Sequence, residues 1–522
     1  MKTSFHSPTL SRKSFLGALL GGAASALSAR TAAGRSLGAI APQPAGPLIP
    51  GLTQDTRLYA ATAAKIGHYV ELDKLKISAN CGDSGAISWN VAATDAGEFD
   101  LFLSYAAADS CFAVEVRSGS SLVKATLDMT EGIYRGHQPF HNFERRQLEG
   151  RLHLTRGVNP VNLQIACSDP SKMLRFRCLE VLPVSASAAA AASVGSARAR
   201  RSSTDWFVEA KYGVMFHWTD FSLPREGPKK PYPDAVKALD VKAFAQMVEV
   251  TGAGYVILTL NHAHPHCPAP IRSWEAIHPG WTTRRDLVGE LADALKQHGI
   301  RLLLYINSPI MTKLGEDIRE TGLYQLTFSE EQFVAIHKDV LTEIGSRYGE
   351  GLAGYWFDSW YQSLAAYPDV PIESIFEYCK VGNPGRITAF NFWVFPVLTE
   401  WQDYWAGELN ELANPFPSRY IQRGAGKGFQ AHGMLSMLPS WVHSDPGPIS
   451  RPQFSAEDLI AYVKANIEHE AVTTINIGIY QEGTIEESSR QMMRKLRQAV
   501  KESKGRPKSR AGQAGKESYG PT

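Results

Sequence analysis

Tyr212-Gly213-Val214-Met215-Phe216 carries no charge and no turn signal. The same texture returns at Gly254-Tyr255-Val256-Ile257-Leu258-Thr259-Leu260, from Ile300 to Ile306, and at Gly354-Tyr355-Trp356-Phe357. Ile387 to Phe392 reads as a fifth such run. Between them lie helical stretches: Asp240 to Val250, Asp286 to His298 closed by Gly299, and Ser329 to Tyr348. Strands apolar at every position are buried on both faces, which a parallel sheet covered by helices requires. About 300 residues of this alternation favour a closed barrel over an open sheet. Residues 205–501 therefore read as an α/β unit, a (β/α)8-type (TIM-like) barrel.

Upstream the period changes. Ile87-Ser88-Trp89-Asn90-Val91, Phe99-Asp100-Leu101-Phe102-Leu103 and Phe112-Ala113-Val114-Glu115-Val116 alternate as half-buried strands do, with Gly97, Gly119, Gly150 and Gly157 between runs. Residues 50–184 are expected to form an all-β sandwich. Residues 185–204, rich in Ala and Ser, read as a flexible linker. Residues 502–522 read as a disordered tail.

The first 49 residues are expected to be an export signal and a flexible segment. Arg12 and Lys13 precede the apolar run Phe15 to Leu27, too short to span a bilayer permanently. The mature chain is then periplasmic or extracellular and free of the membrane. The net charge of +2 over the full sequence gives no reason to expect nucleic acid as partner. Six cysteines show no Cys-x-x-Cys spacing, which argues against a zinc ribbon. Export permits disulfides, but spacing assigns none, and oligomeric state is not readable. The 11 Trp suit either sugar stacking or core packing.

Polar residues gather just after the strands, where a barrel builds its active site. They are His217-Trp218, Asn261-His262-Ala263-His264, Tyr305-Ile306-Asn307-Ser308 and Asp358-Ser359-Trp360. Asp358, beside Trp356, Phe357 and Trp360, suits a carboxylate working in a dry site.

These stretches resemble the α-L-fucosidases of glycoside hydrolase family 29. Lys211 to Trp218 is similar to the family's K-F-G-I-F-I-H-W-G strand, and Thr251 to His264 to its A-G-A-K-Y-V-V-L-T-A-K-H-H-D-G-F. Arg285-Asp286-Leu287-Val288-Gly289-Glu290 matches R-D-L-V-G-E. Tyr355 to Ser359 resembles the L-W-F-D-G nucleophile strand, and Thr474 to Gly478 with Gly483-Thr484-Ile485 the late N-I-G segment. Residues 95–101 and 152–163 resemble strands of jelly-roll carbohydrate-binding modules. The Ser11 to Leu16 stretch resembles a twin-arginine signal with Lys in place of the second Arg; an ordinary secretory signal is the alternative.

The resemblance implies an exo-acting, retaining glycoside hydrolase without cofactor or metal, acting on terminal glycosides of oligo- or polysaccharides. Asp358 would be the nucleophile. The acid/base would be Glu408, or Glu400 as second choice. His217, Trp218, His262, His264, Tyr305, Trp356 and Trp360 would bind the sugar. The sequence departs from the pattern at Ala263, which replaces a family histidine. It departs again at Pro224 to Lys230, where the family has E-W-Y. The identity of the sugar is therefore open. The family's usual C-terminal β-domain is not read after residue 501. Two other readings stand: a non-catalytic carbohydrate-binding barrel, and a metal-dependent hydrolase using His262, His264 and His266.

Overall fold

The computed structural model describes residues 48–49, 56–72, 78–130, 132–135, 138–141, 143–317, 323–367, 370–392, 399–409, 412, 414–422 and 426–502. The export signal and the tail lie outside them, apart from residues 48–49 and 502. No helix among the described residues is long and apolar enough to cross a membrane.

The N-terminal region is β-rich. One six-stranded sheet is built around Gly85–Ala93, Gly157–Cys167 and Phe112–Ser118, a second around Gly97–Ala107 and Leu174–Pro183. Gly85–Ala93 buries every second residue, as its sequence alternation demands. Ile87, Trp89 and Val91 from the first sheet share one apolar core with Leu101, Leu103 and Phe176 from the second. All six cysteines are free thiols; Cys111 and Cys167 bring their sulfurs to 2.6 Å.

The stretch expected to be a flexible linker is instead helix α1, Val184–Ala199. Its alanines have the highest helix propensity of any residue, and contacts hold both ends. Ser187 donates to the buried Asp100 at 2.6 Å, and Ala197 packs with Phe376 and Trp401. The short helix α2, Asp205–Ala210, follows.

Eight parallel strands then form one curled sheet: β1 Tyr212–Phe216, β2 Tyr255–Thr259, β3 Arg301–Asn307, β4 Leu352–Asp358, β5 Ile387–Phe390, β6 Glu408–Leu409, β7 His432–Ser436 and β8 Val472–Asn476. Their spatial order follows the chain, with β8 paired back onto β1. The ladder breaks between β5 and β6, and Asp403 bridges the gap. Its N–H donates to the Thr388 carbonyl at 2.8 Å, while its carboxylate accepts from the Thr388 N–H at 2.7 Å and from Lys380 at 2.6 Å.

Strand alternation sorts the side chains into two layers. Met215, Tyr255, Ile257, Leu303, Tyr305, Trp356 and Met434 fill the interior. Val214, Phe216, Leu258, Leu304 and Phe357 face the helices. The interior leaves no room at Gly213, where a Cβ would stand 2.2 Å from the Tyr255 ring. Phe207 of α2 joins this core, its ring 4.7 Å from Tyr255. Helices α3 (Val241–Thr251), α4 (Leu287–Gln297) and α5 (Glu330–Tyr348) occupy the stretches read as helical. Asp240, Asp286 and Ser329 cap them by accepting the N3 amide, which satisfies a donor the helix itself cannot.

Two fully buried histidines make this fold acid-sensitive. His337 donates through Nδ1 to the Phe333 carbonyl and accepts at Nε2 from Ser308; His432 donates to the Trp405 carbonyl and accepts from Thr474. Burial pushes both imidazoles down to about 4. The unfolded chain takes up these protons near pH 6.5, so between 6.5 and 4 it binds more protons than the folded chain. Stability is therefore full above that window and falls as pH falls through it, by roughly 2 kcal/mol for each histidine at pH 5. Urea unfolding midpoints at pH 7 and 5 should differ accordingly; equal midpoints would contradict the buried neutral state.

Candidate active site

Asp358 ends β4 with its side chain turned into the sheet's concave interior and only 4% exposed. Ser359 follows in the left-handed region, φ 57°. That conformation is unfavourable for a residue with a Cβ and marks a turn held by its surroundings. Beyond it, the Trp360 N–H returns to the Asn391 carbonyl at 3.1 Å, and the Asn391 N–H donates to the Phe357 carbonyl at 2.7 Å. The backbone around Asp358 is thus tied on both sides to residue 391, just past β5.

Both oxygens of Asp358 accept hydrogen bonds. Tyr305 Oη donates to Oδ2 at 2.5 Å, and Asn391 Nδ2 to Oδ1 at 2.9 Å. The same Asn391 nitrogen donates to Glu408 Oε2 at 2.6 Å. Two bonds from one atom keep an oxygen of Asp358 within about 5.5 Å of an oxygen of Glu408. Glu408 opens β6 and is itself buried. Gly407, at φ 59°, lets the chain enter β6 there; a Cβ at that position would meet the His432 carbonyl oxygen at 2.0 Å.

Aromatic rings crowd beside this pair. The His217 ring lies 5.2 Å from Tyr305, 5.4 Å from His262 and 5.6 Å from Trp441; His262 stacks on Tyr305 at 5.9 Å. His217 Nδ1 is bonded to Asn476 Oδ1 at 2.7 Å, and Asn476 Nδ2 donates to the Trp441 carbonyl. Tyr305 stacks on Trp356, 5.4 Å away. The Trp356 indole N–H donates to the Ala406 carbonyl, so this ring is a buried support for Tyr305.

Of the residues expected at the site, Asp358, Glu408, His217, His262, Tyr305 and Trp356 come together. Trp218 and Trp360 do not. One residue past the inward-facing His217, Trp218 points outward: its ring packs on Tyr232 and its N–H donates to the Gln481 carbonyl. Trp360 is fully buried against Phe390, Phe357 and His337 in the helix-facing layer. Glu400 lies elsewhere too. Its backbone carbonyl accepts from Arg201, and its half-buried carboxyl feels Arg145, Glu180 and Arg57 of the β-rich region; burial raises its pKa.

The alternating histidines separate. His262 joins the site, whereas His264 binds Asp220 Oδ2 at 2.7 Å and stacks on Phe221. His266 packs between Tyr232 and Trp281. Among the described residues no three His, Cys, Asp or Glu side chains gather to hold a metal ion.

Sequence reasoning missed Asn391, Asn476 and Trp441. Asn391 follows β5 and Asn476 ends β8, so the rule that selected Asp358, a polar residue where an apolar strand ends, also applies to them.

A family model described as alpha-L-fucosidase matches residues 234–502. Tissue alpha-L-fucosidase of Homo sapiens is 32% identical over 132 residues, covering 19% of this chain and 28% of that protein. An alpha-L-fucosidase of Branchiostoma floridae is 28% identical over 127 residues, covering 18% and 28%. The match thus spans less than a third of either relative. An alpha-L-fucosidase from Lactobacillus casei, solved in complex with an alpha-L-fucose product, aligns with TM-score 0.39 and 16% identity over 57% of this chain and 98% of that one. A trapped covalent intermediate of an alpha-L-fucosidase from Bacteroides thetaiotaomicron aligns with TM-score 0.41 and 15% identity over 57% and 74%.

Proposed function

The chain belongs to the alpha-L-fucosidase family, glycoside hydrolase family 29, and on that premise we propose that it is an exo-acting retaining glycoside hydrolase. The observation that carries the mechanism is the shared Asn391 amide, which keeps Asp358 and Glu408 within about 5.5 Å of each other. Retaining enzymes hold their two carboxyl groups about 5–5.5 Å apart, whereas inverting enzymes leave room for a water between them. The cyclic order of the eight strands, with β8 on β1 and Asp403 across the β5–β6 gap, supports reading the sheet as a (β/α)8-type barrel.

In this reaction Asp358 attacks the anomeric carbon as the bond to the leaving oxygen breaks, and Glu408 gives that oxygen its proton. A glycosyl ester of Asp358 results. Glu408 then takes a proton from water, whose oxygen displaces Asp358 and releases the sugar. Tyr305 and Asn391 each donate to Asp358 and so favour its ionised form. His217 and His262 stand beside Tyr305, where imidazoles can donate to and accept from sugar hydroxyls. The paired carboxylates favour catalysis over a purely sugar-binding barrel.

The substrate is the terminal sugar of an oligo- or polysaccharide. A panel of aryl glycosides tests this: α-L-fucoside, β-D-galactoside, α-L-arabinoside and related compounds. We expect α-L-fucoside to be cleaved, and another glycoside to be cleaved better. Ala263 removes a polar contact expected from the family pattern, and a hydroxyl left unpaired in a buried site costs orders of magnitude in selectivity. Exclusive, rapid cleavage of the fucoside would refute this second part. Inactivity on every glycoside would refute the enzyme. We further propose that the β-rich region binds carbohydrate and that the segment from Arg12 to Leu27 directs export.

A further inference from the structure

We propose that Asn391 is a positioning residue that holds Asp358 and Glu408 on one amide nitrogen and sets the ionisation of both; the inference rests on the retaining reading for its kinetic consequence. A carboxamide has one face that donates and one that accepts. Two carboxylate oxygens, at 2.9 and 2.6 Å, face the same Asn391 atom. Only the NH2 end satisfies both, one hydrogen to each, whereas a carbonyl oxygen there would repel both. The backbone of Asn391 is held too, bonded to Phe357 and Trp360 on either side of Asp358. The amide therefore has little freedom to turn away.

Two consequences follow. Asp358 receives Tyr305 on Oδ2 and Asn391 on Oδ1. A donor on each oxygen favours the ionised form, as a nucleophile needs. Glu408 receives the same nitrogen on Oε2, which favours its charged form and ties it to Asp358. One side chain thus ties the two acids together and acts on both ionisations. Around it lie the ionisable groups of five further elements: Asp358 on β4, Glu408 on β6, Tyr305 on β3, His217 after β1 and, behind Tyr305, His262 after β2.

Asn391→Ala and Asn391→Asp, made in the full chain, test the assignment. Both remove a donor that favours the charged form of each carboxyl, so both carboxyl pKa values should rise. The acid limb of kcat against pH reports Asp358 and the alkaline limb Glu408; each should move up by roughly one pH unit in Asn391→Ala. We expect kcat to fall about 10- to 1000-fold with KM changed less than about threefold, because positioning acts on the transition state. Asn391→Asp keeps the shape of the side chain but sets an oxygen against both carboxylates, so it should shift both further; Asn391→Ser, smaller and still able to donate one hydrogen, guards against a variant that fails to fold. Carbon-13 NMR titration of the two carboxyls, assigned through Asp358→Asn and Glu408→Gln, reads the same shifts without turnover. Limbs and titrations that stay in place while kcat falls would make Asn391 merely structural and overturn the proposal. Titrations that rise in a protein inactive on every glycoside would support the placement and overturn the retaining reading.

Discussion

Asp358→Asn should lower kcat at least about a thousandfold, which is roughly 4 kcal/mol of lost transition-state stabilisation. The substitution is well suited to separate chemistry from folding. An amide at this position can still accept from Asn391 on its oxygen, and its NH2 can donate to the Tyr305 hydroxyl, which accepts as well as it donates. These two hydrogen bonds are then preserved, reversed in sense at one end, and the bulk of the side chain is unchanged. What disappears is the negative charge and the nucleophile. Thermal unfolding within a few degrees of the wild type, together with the loss of turnover, is the expected pair of results. Activity within tenfold of wild type would remove Asp358 from the role.

Glu408→Ala should separate substrates by their leaving groups. A sugar or alkyl alcohol leaves poorly without a proton, so its release should fall by about 10²- to 10⁴-fold, the usual contribution of general acid catalysis. An activated aryl glycoside needs little proton assistance, so the first step should be nearly preserved and the second should become slow. Azide, a small anionic nucleophile that needs no base, should accelerate the second step and yield a glycosyl azide. The same pattern from Glu400→Ala would move the assignment. The position of Glu400 near Arg145 and Glu180 predicts that it will not appear there.

The fold was readable because parallel strands buried on both faces cannot hide: Tyr255 to Thr259 and Arg301 to Asn307 carry their apolar character at nearly every position. Continuous apolarity, however, conceals which residue points inward. His217 and Trp218 are neighbours, and only the pleat separates them, sending the histidine to the site and the indole to the helix layer. Applying a period of two from Asp358 backwards would have kept Trp356, and an outward turn after Ser359 accounts for Trp360. Asn391 and Asn476 were overlooked because an amide advertises no charge or nucleophile, although both stand where strands end. Glu408 and Glu400 are equivalent acids in the sequence; only the entry into β6 brings one of them to Asp358. The alanines of α1 were read as a linker because they have no apolar stripe, and propensity with contacts at both ends outweighed that lack.

The central claim is that Asp358 forms a covalent bond to the sugar, and trapping that bond is the most direct measurement. A 2-deoxy-2-fluoro-α-L-fucosyl fluoride has a good leaving group and an electron-poor ring, so it should form the glycosyl ester readily and release it slowly. Intact-protein mass spectrometry of the wild type and of Glu408→Gln should show one added fluorofucosyl group. Peptide mapping should place it on Asp358, and Asp358→Asn should remain unmodified. An adduct on any other carboxylate, or no adduct in a protein that cleaves the aryl fucoside, would contradict the account.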